Sequence, residues 1–222
     1  MGHVTFQRAR TDEQRTERRR QILGAAAAML AEMPVAELSL TALSRRVCLA
    51  KANVLRYFDS REAVLLELLE AQIAECITEL ESAPAPEGSA RERGDRLADL
   101  FAVSLAARPM LCDLIASQAT VLERNISVET AIRHKRRIRE SLQSLVLLVR
   151  RHLPELDDED AGVLVQTVML TAVAAWPVSR PPQALLAAYE ADPSLASMCI
   201  DFTDAVRRSA EVAVAGLLAR RQ

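Results

Sequence analysis

The sequence predicts an all-α fold: a three-helix N-terminal domain with a helix-turn-helix over residues 11–60, and a larger helical domain over 61–222. Three observations carry this. Ser39 to Phe58, SLTALSRRVCLAKANVLRYF, reads as two short helices meeting at a tight turn, with Leu40, Leu43 and Val47 behind the N-cap Ser39 and Val54 and Phe58 after Leu49. Nearly every other apolar stretch has helical period and none alternates as a strand does. Charge is segregated: residues 1–60 hold ten Lys/Arg against six Asp/Glu, whereas the remainder holds eighteen against twenty-four, within a net charge of −2. The basic end coincides with the helix-turn-helix.

In chain order, Thr11 to Met33 forms one amphipathic helix with Ile22, Ala26, Met29, Leu30 and Met33 on one side, ended by Pro34. Arg15, Arg18, Arg19 and Arg20 crowd its start. Asp12, Glu13 and Glu17 among them fit a solvated helix end, and the motif that follows favours phosphate contact. The second helix of the motif leaves Lys51, Asn53, Leu55, Arg56 and Tyr57 off the face that its apolar side needs. Together with Ser39, Thr41 and Arg45 these residue types suit phosphates and base edges. Asp59, Ser60 and Arg61 open a helix to about Glu81, striped by Val64, Leu65, Leu68, Leu69, Ile73, Ile77 and Leu80. It connects the two domains.

Leu43 to Glu62, with RYFDSRE closing it, resembles the helix-turn-helix of TetR/AcrR-type bacterial regulators, and the resemblance extends back to Arg18 and forward to about Ile77. Cys48 stands where the family usually has a turn glycine, and Ala50 where it usually has a capping serine. A non-glycine in a left-handed turn costs roughly 1–2 kcal/mol and a lost cap about 1 kcal/mol, so the turn should survive. The resemblance implies a homodimeric DNA-binding transcriptional regulator. It implies repression at a palindromic operator, relieved by a small ligand in a C-terminal ligand-binding and dimerisation domain, with Arg61 beside the DNA backbone.

The proline-rich Ser82–Ser89 marks the coarse domain boundary. Helices then follow through Leu97–Leu105, through Leu111–Ile115, and from about Ser127 to His152. The basic run His134–Arg139 reads as a solvated helix face, a second nucleic-acid surface being the other reading. Ala161–Trp176 is apolar nearly all round and is too short to span a bilayer, which takes about 20 residues. Packing against a second subunit is one way to bury it. After Pro177, Pro181 and Pro182 a last helix is expected from about Ser194 to Arg220, striped by Leu195, Met198, Phe202, Val206, Ala210, Val214 and Leu217. By position these two helices resemble the family's dimerising pair.

A pocket among Phe101, Leu105, Met110, Leu114, Gln118, Leu142, Val146 and Trp176 would be mostly aliphatic. Ser104, Ser117, Gln118 and Trp176 would be its few polar handles, suiting a small, mostly apolar effector. The same residues also read as ordinary core. The three histidines show no triad or metal spacing and there is no glycine-rich phosphate loop, so no cofactor, metal or catalysis is expected. The two rival readings are a ligand-independent architectural DNA binder and a helical enzyme carrying a helix-turn-helix. The cysteines at 48, 76, 112 and 199 form no metal-like pair and read as buried, inert thiols, a redox switch being the other reading. No signal peptide is recognisable, so a cytoplasmic protein with no membrane partner is expected. Gly2 and His3 fit a cloning remnant.

Overall fold

Residues 3–84 and 87–220 are described in the computed structural model, so Gly2 lies outside them. Ten α-helices occur among these residues, with no strand. Two compact units divide the chain, one running to Ala71 and including Ser117–Lys135, the other comprising Gln72–Ala116 and Arg136 onward.

In the first unit, α1 (His3–Leu30) starts well before Thr11. Ile22, Ala26, Met29 and Leu30 repeat at helical spacing and are all buried. A turn through Met33 and Pro34 leads to Val35 and Leu38, both buried under the motif. Ser39 caps α2 (Leu40–Arg46) by accepting the Ala42 amide at 3.1 Å. Cys48 adopts the left-handed conformation with φ 53°, the position at which glycine is easier, and the turn closes through Leu49 N to Ser44 O at 2.9 Å. The second motif helix is shorter than its apolar pattern suggests. Helix α3 is only Lys51–Val54, its Ala50 N-cap supplies no side-chain bond, and turns continue to Phe58, whose amide reaches Val54 O at 3.2 Å. Leu43, Val54 and Phe58 anchor both helices from below.

Helix α4 (Arg61–Ser82) begins in the first unit and ends in the second. Ser60 caps it through the Ala63 amide at 3.1 Å, and Val64, Leu65, Leu66, Leu68 and Leu69 are buried. The proline-rich break separates α4 from α5 (Ala90–Ala106), and the residues on both sides of it belong to the second unit. There Ser89 and Glu92 form a reciprocal capping box. The unit continues with α6 (Pro109–Ser117), most of α7 (Val128–His152), α8 (Asp158–Val178), α9 (Gln183–Ala191) and α10 (Phe202–Ala219). Helix α10 packs on α5 and α8. At the first contact, Gly94 lets the helices approach, since a Cβ there would lie 2.5 Å from Val214 Cγ1.

Several expectations are corrected. Helix α8 has 21 residues, because Asp157 caps it earlier and Pro177 is carried in its last turn instead of breaking it. By length and mean hydropathy it could cross a membrane. It is not enclosed all round either: Leu164, Val165, Val168, Ala172 and Trp176 are buried while Val163, Leu170 and Val178 are exposed. The prolines at 181 and 182 start a helix, α9, that the pattern did not suggest, since Pro182 supplies a pre-set φ of −63° at its N-cap. The last helix begins at Phe202, after a 3-10 turn over Pro193–Met198, so Leu195 and Met198 are not part of its stripe. Only Cys76 and Cys112 are buried; Cys48 and Cys199 are exposed.

Candidate nucleic-acid interface

The surface of the first unit sorts its polar residues by whether their head groups are already used. Lys51, Asn53 and Arg56 are exposed, and no side-chain partner is recorded for them among the described residues. Leu55, 41% exposed, stands between them as an apolar side chain left partly in solvent. Arg and Lys donating to guanine or phosphate, Asn to adenine, and an aliphatic group against a thymine methyl are the pairings that major-groove edges accept. Tyr57 is half-buried, and Thr41 and Arg45 are exposed on α2. Ser39 is exposed, but its hydroxyl is engaged as the α2 cap.

Helix α1 contributes unequally. Arg15 and Arg18 line a groove of about 770 Å³ together with Arg56 and Tyr57, so cations from α1 and the α3 turn face one space. Glu13 and Glu17 line it too, and Glu17 is tied to Arg20 at 2.9 Å. The Arg20 guanidinium holds the Glu17 carboxyl below the usual carboxylate range. Arg19 is spent internally: it pairs with Glu67, donates to Tyr57 O, and its guanidinium lies 4.2 Å from the Phe58 ring centroid. Arg46 is likewise held by Glu32 at 2.9 Å.

Arg61 takes a structural position. Its guanidinium donates to Leu38 O at 3.1 Å and pairs with Glu62 at 2.9 Å, so it ties the start of α4 to the chain entering α2. The sequence carried no sign of this, because the acceptor is a backbone carbonyl 23 residues away.

In the second unit the pocket residues behave mainly as core. Phe101, Leu105, Leu114 and Trp176 are buried, Met110 and Val146 are half-buried, and Leu142 is 40% exposed. The polar handles already have partners. Trp176 Nε1 donates to Asp113 at 2.6 Å, and Ser104 Oγ accepts from Arg108 at 2.8 Å. Burial pushes the nearby Cys112 thiol up to about 12. Gln118 and Ser117 fall in the first unit.

A basic, exposed helix-turn-helix ahead of a separate helical unit defines a DNA-binding regulator. The chain matches the family described as "Tetracyclin repressor-like, C-terminal domain" over residues 66–221, and it belongs to the TetR family of transcriptional regulators. Solved structures agree in fold. A TetR regulator from Rhodococcus sp. RHA1 superposes with a TM-score of 0.57 at 16% identity, over 90% of this chain and 97% of that one. The fatty acid degradation regulator FadR of Bacillus halodurans gives 0.55 at 17%, over 89% and 98%. FadR of Bacillus subtilis, solved in complex with stearoyl-CoA, gives 0.54 at 15%, over 88% and 97%. Among curated proteins none matches the chain.

Proposed function

We propose that this regulator is a homodimeric, cytoplasmic repressor that reads a palindromic operator through Lys51, Asn53, Leu55 and Arg56, with Thr41, Arg45 and Tyr57 beside them. The observation that carries it is the contrast between Lys51, Asn53 and Arg56, exposed and without a side-chain partner among the described residues, and the neighbouring arginines held by internal acceptors. One helix-turn-helix reads too few base pairs for useful specificity, so two copies related by two-fold symmetry are required. The exposed aliphatic face of α8 at Val163, Leu170 and Val178 supports a dimer through this helix and α10. Domain roles follow the same division: reading in the N-terminal helices, with α4 leading into a ligand-binding and dimerising remainder.

The effector is a small, mostly apolar molecule. The aliphatic and aromatic character of Phe101, Leu105 and Leu114 supports this, and so does the prior engagement of Ser104 and Trp176, which leaves few polar groups for a sugar or nucleotide. The stearoyl-CoA held by a fold neighbour has a long apolar chain of the same general chemistry. The test is selection of duplexes from a random double-stranded library, followed by thermal-shift screening of long-chain acyl compounds. The expected result is a two-fold symmetric consensus whose binding is weakened by compounds that stabilise the free protein. An asymmetric or absent consensus would reject the dimeric repressor. Stabilising compounds that leave DNA affinity unchanged would reject the effector.

A further inference from the structure

Within the second unit, two contacts fix the register of α5 against α10. Gly94 lies against Val214, and further along α5 Asp99 accepts from Arg207 Nε at 3.0 Å, so the helices run antiparallel. Arg207 is also held by Asp204 at 3.1 Å, and a fully paired guanidinium therefore closes this end of the seam. One helical turn along, the same register sets Asp95 opposite Glu211. Two carboxylates thus stand across the seam where the preceding turn has an ion pair. Neither side chain has a hydrogen-bond or ion-pair partner among the described residues.

Past Gly94 the seam is also unfilled. Ala90 of α5 and Ala215 and Ala219 of α10 are too short to reach across it, and a groove of about 1020 Å³ remains, lined by these residues together with Asp95 and Glu211. Val214 and Leu218 give it larger apolar surface, and Val212, 73% exposed, stands at its edge. Glu155 lines it as well, but Arg93 offsets that charge. Arg91 also lines it, without a side-chain partner among the described residues. The unpaired charges are then Asp95 and Glu211 against Arg91, an excess of one negative charge beside apolar surface.

Such a concavity concentrates cations, and its uncovered aliphatic surface favours an occupant with an apolar body. Length decides what kind of occupant. From Ser89 to Asp95 the groove follows α5 for about 9 Å at the helical rise, room for a short alkyl or aryl group but less than the i to i+7 span by which an amphipathic helix is gripped.

We propose that the α5–α10 groove is a binding site for a small amphiphilic monocation, an amine or quaternary ammonium carrying a short apolar body. The ammonium sits between Asp95 and Glu211 and relieves their repulsion, while the body lies along Ala215 and Leu218. This site is separate from the apolar effector residues Leu105, Leu114 and Trp176, which belong to the other end of α5, to α6 and to α8, and it does not depend on that reading.

The experiment uses the full chain and isothermal titration calorimetry with octyltrimethylammonium, and with octanoate as the anion of matched chain length. The wild type should bind the cation at about one per chain with a dissociation constant below about 1 mM. Asp95→Asn combined with Glu211→Gln should weaken the cation at least about tenfold and leave any octanoate binding unchanged. Arg91→Ala, at an exposed position, should tighten the cation about threefold, and Arg91→Glu about tenfold, gains that a damaged fold does not produce. The two Arg91 variants decide the matter if the double variant does not fold. Absence of cation binding up to about 5 mM overturns the proposal. Equal cation affinity in the wild type and the double variant, or Arg91 variants that bind no tighter, overturns it too. Loss of cation and octanoate binding together in a folded double variant assigns both to the effector core and removes the groove as a site.

Discussion

Two regions of the first unit carry the same residue types to opposite ends. Along α3 and its following turn, Lys51, Asn53 and Arg56 are exposed and have no side-chain partner among the described residues. In the seam between α1, the motif and α4, Arg19 and Arg61 are held by Glu67, Tyr57 O, Leu38 O and Glu62. An arginine is available to a partner molecule only where the fold has not already given its five donors an acceptor. The two sets therefore separate specificity from scaffold, although they alternate along the chain.

The largest effect expected lies outside both sets and tests whether the comparison matters in a dimer. Leu170→Asp with Val178→Asp places charge on the exposed face of α8. Sedimentation velocity should then show monomers, and operator affinity should fall to that of a single head. A wild type already monomeric at micromolar concentration would remove the premise.

Next comes the seam. Arg19→Ala removes a half-buried ion pair, a bond to a carbonyl and a ring contact, and should cost about 2 kcal/mol of stability after allowance for solvent screening. Urea midpoints measure this. Its loss of DNA binding should follow the fraction unfolded and be the same for operator and random duplexes. Arg56→Ala should do the reverse, leaving the urea midpoint unchanged while losing about 1–3 kcal/mol of discrimination between operator and random DNA. Equal behaviour of the two variants would erase the distinction between the regions. Arg61→Ala sharpens it further: loss of its bond to Leu38 O should resemble Arg19→Ala, weakening all duplexes alike.

A smaller effect concerns pH. His152 is buried with both ring nitrogens unpartnered among the described residues, and burial, then the Arg151 charge, lowers its pKa from 6.5. The unfolded chain therefore binds a proton that the folded chain refuses. Stability is full above about pH 6.5 and declines as pH falls below it, towards the depressed folded value. His152→Leu should flatten urea midpoints between pH 7 and 5.5 and raise them slightly, since two unsatisfied nitrogens disappear. A wild-type slope retained in the variant would assign the effect elsewhere.

The smallest effect is chemical. Exposed Cys48 and Cys199 should react with a thiol reagent in the native protein, while Cys76 and Cys112 wait for unfolding, Cys112 because burial raises its pKa to about 12. A fast Cys112 would contradict its burial.

The sequence by itself determined the motif and most helix positions, because these depend on local pattern. Ser39 caps through a residue three positions on, Leu43, Val54 and Phe58 face the core at helical spacing, and the strained turn at Cys48 was legible from its neighbours. Charge segregation is equally a property of the chain. Only the tertiary structure decided which cations are available, since Tyr57 O and Glu67, which hold Arg19, and Leu38 O, which holds Arg61, lie 23 to 48 residues away and include backbone carbonyls that carry no sequence signal. It alone placed Ser117–Lys135 with the reading unit through Asp59 and Glu70, and it alone showed α8 to be buried on one face only. Periodicity states that a side chain prefers to leave water; which neighbour receives it is settled by long-range packing and by where each donor finds its acceptor.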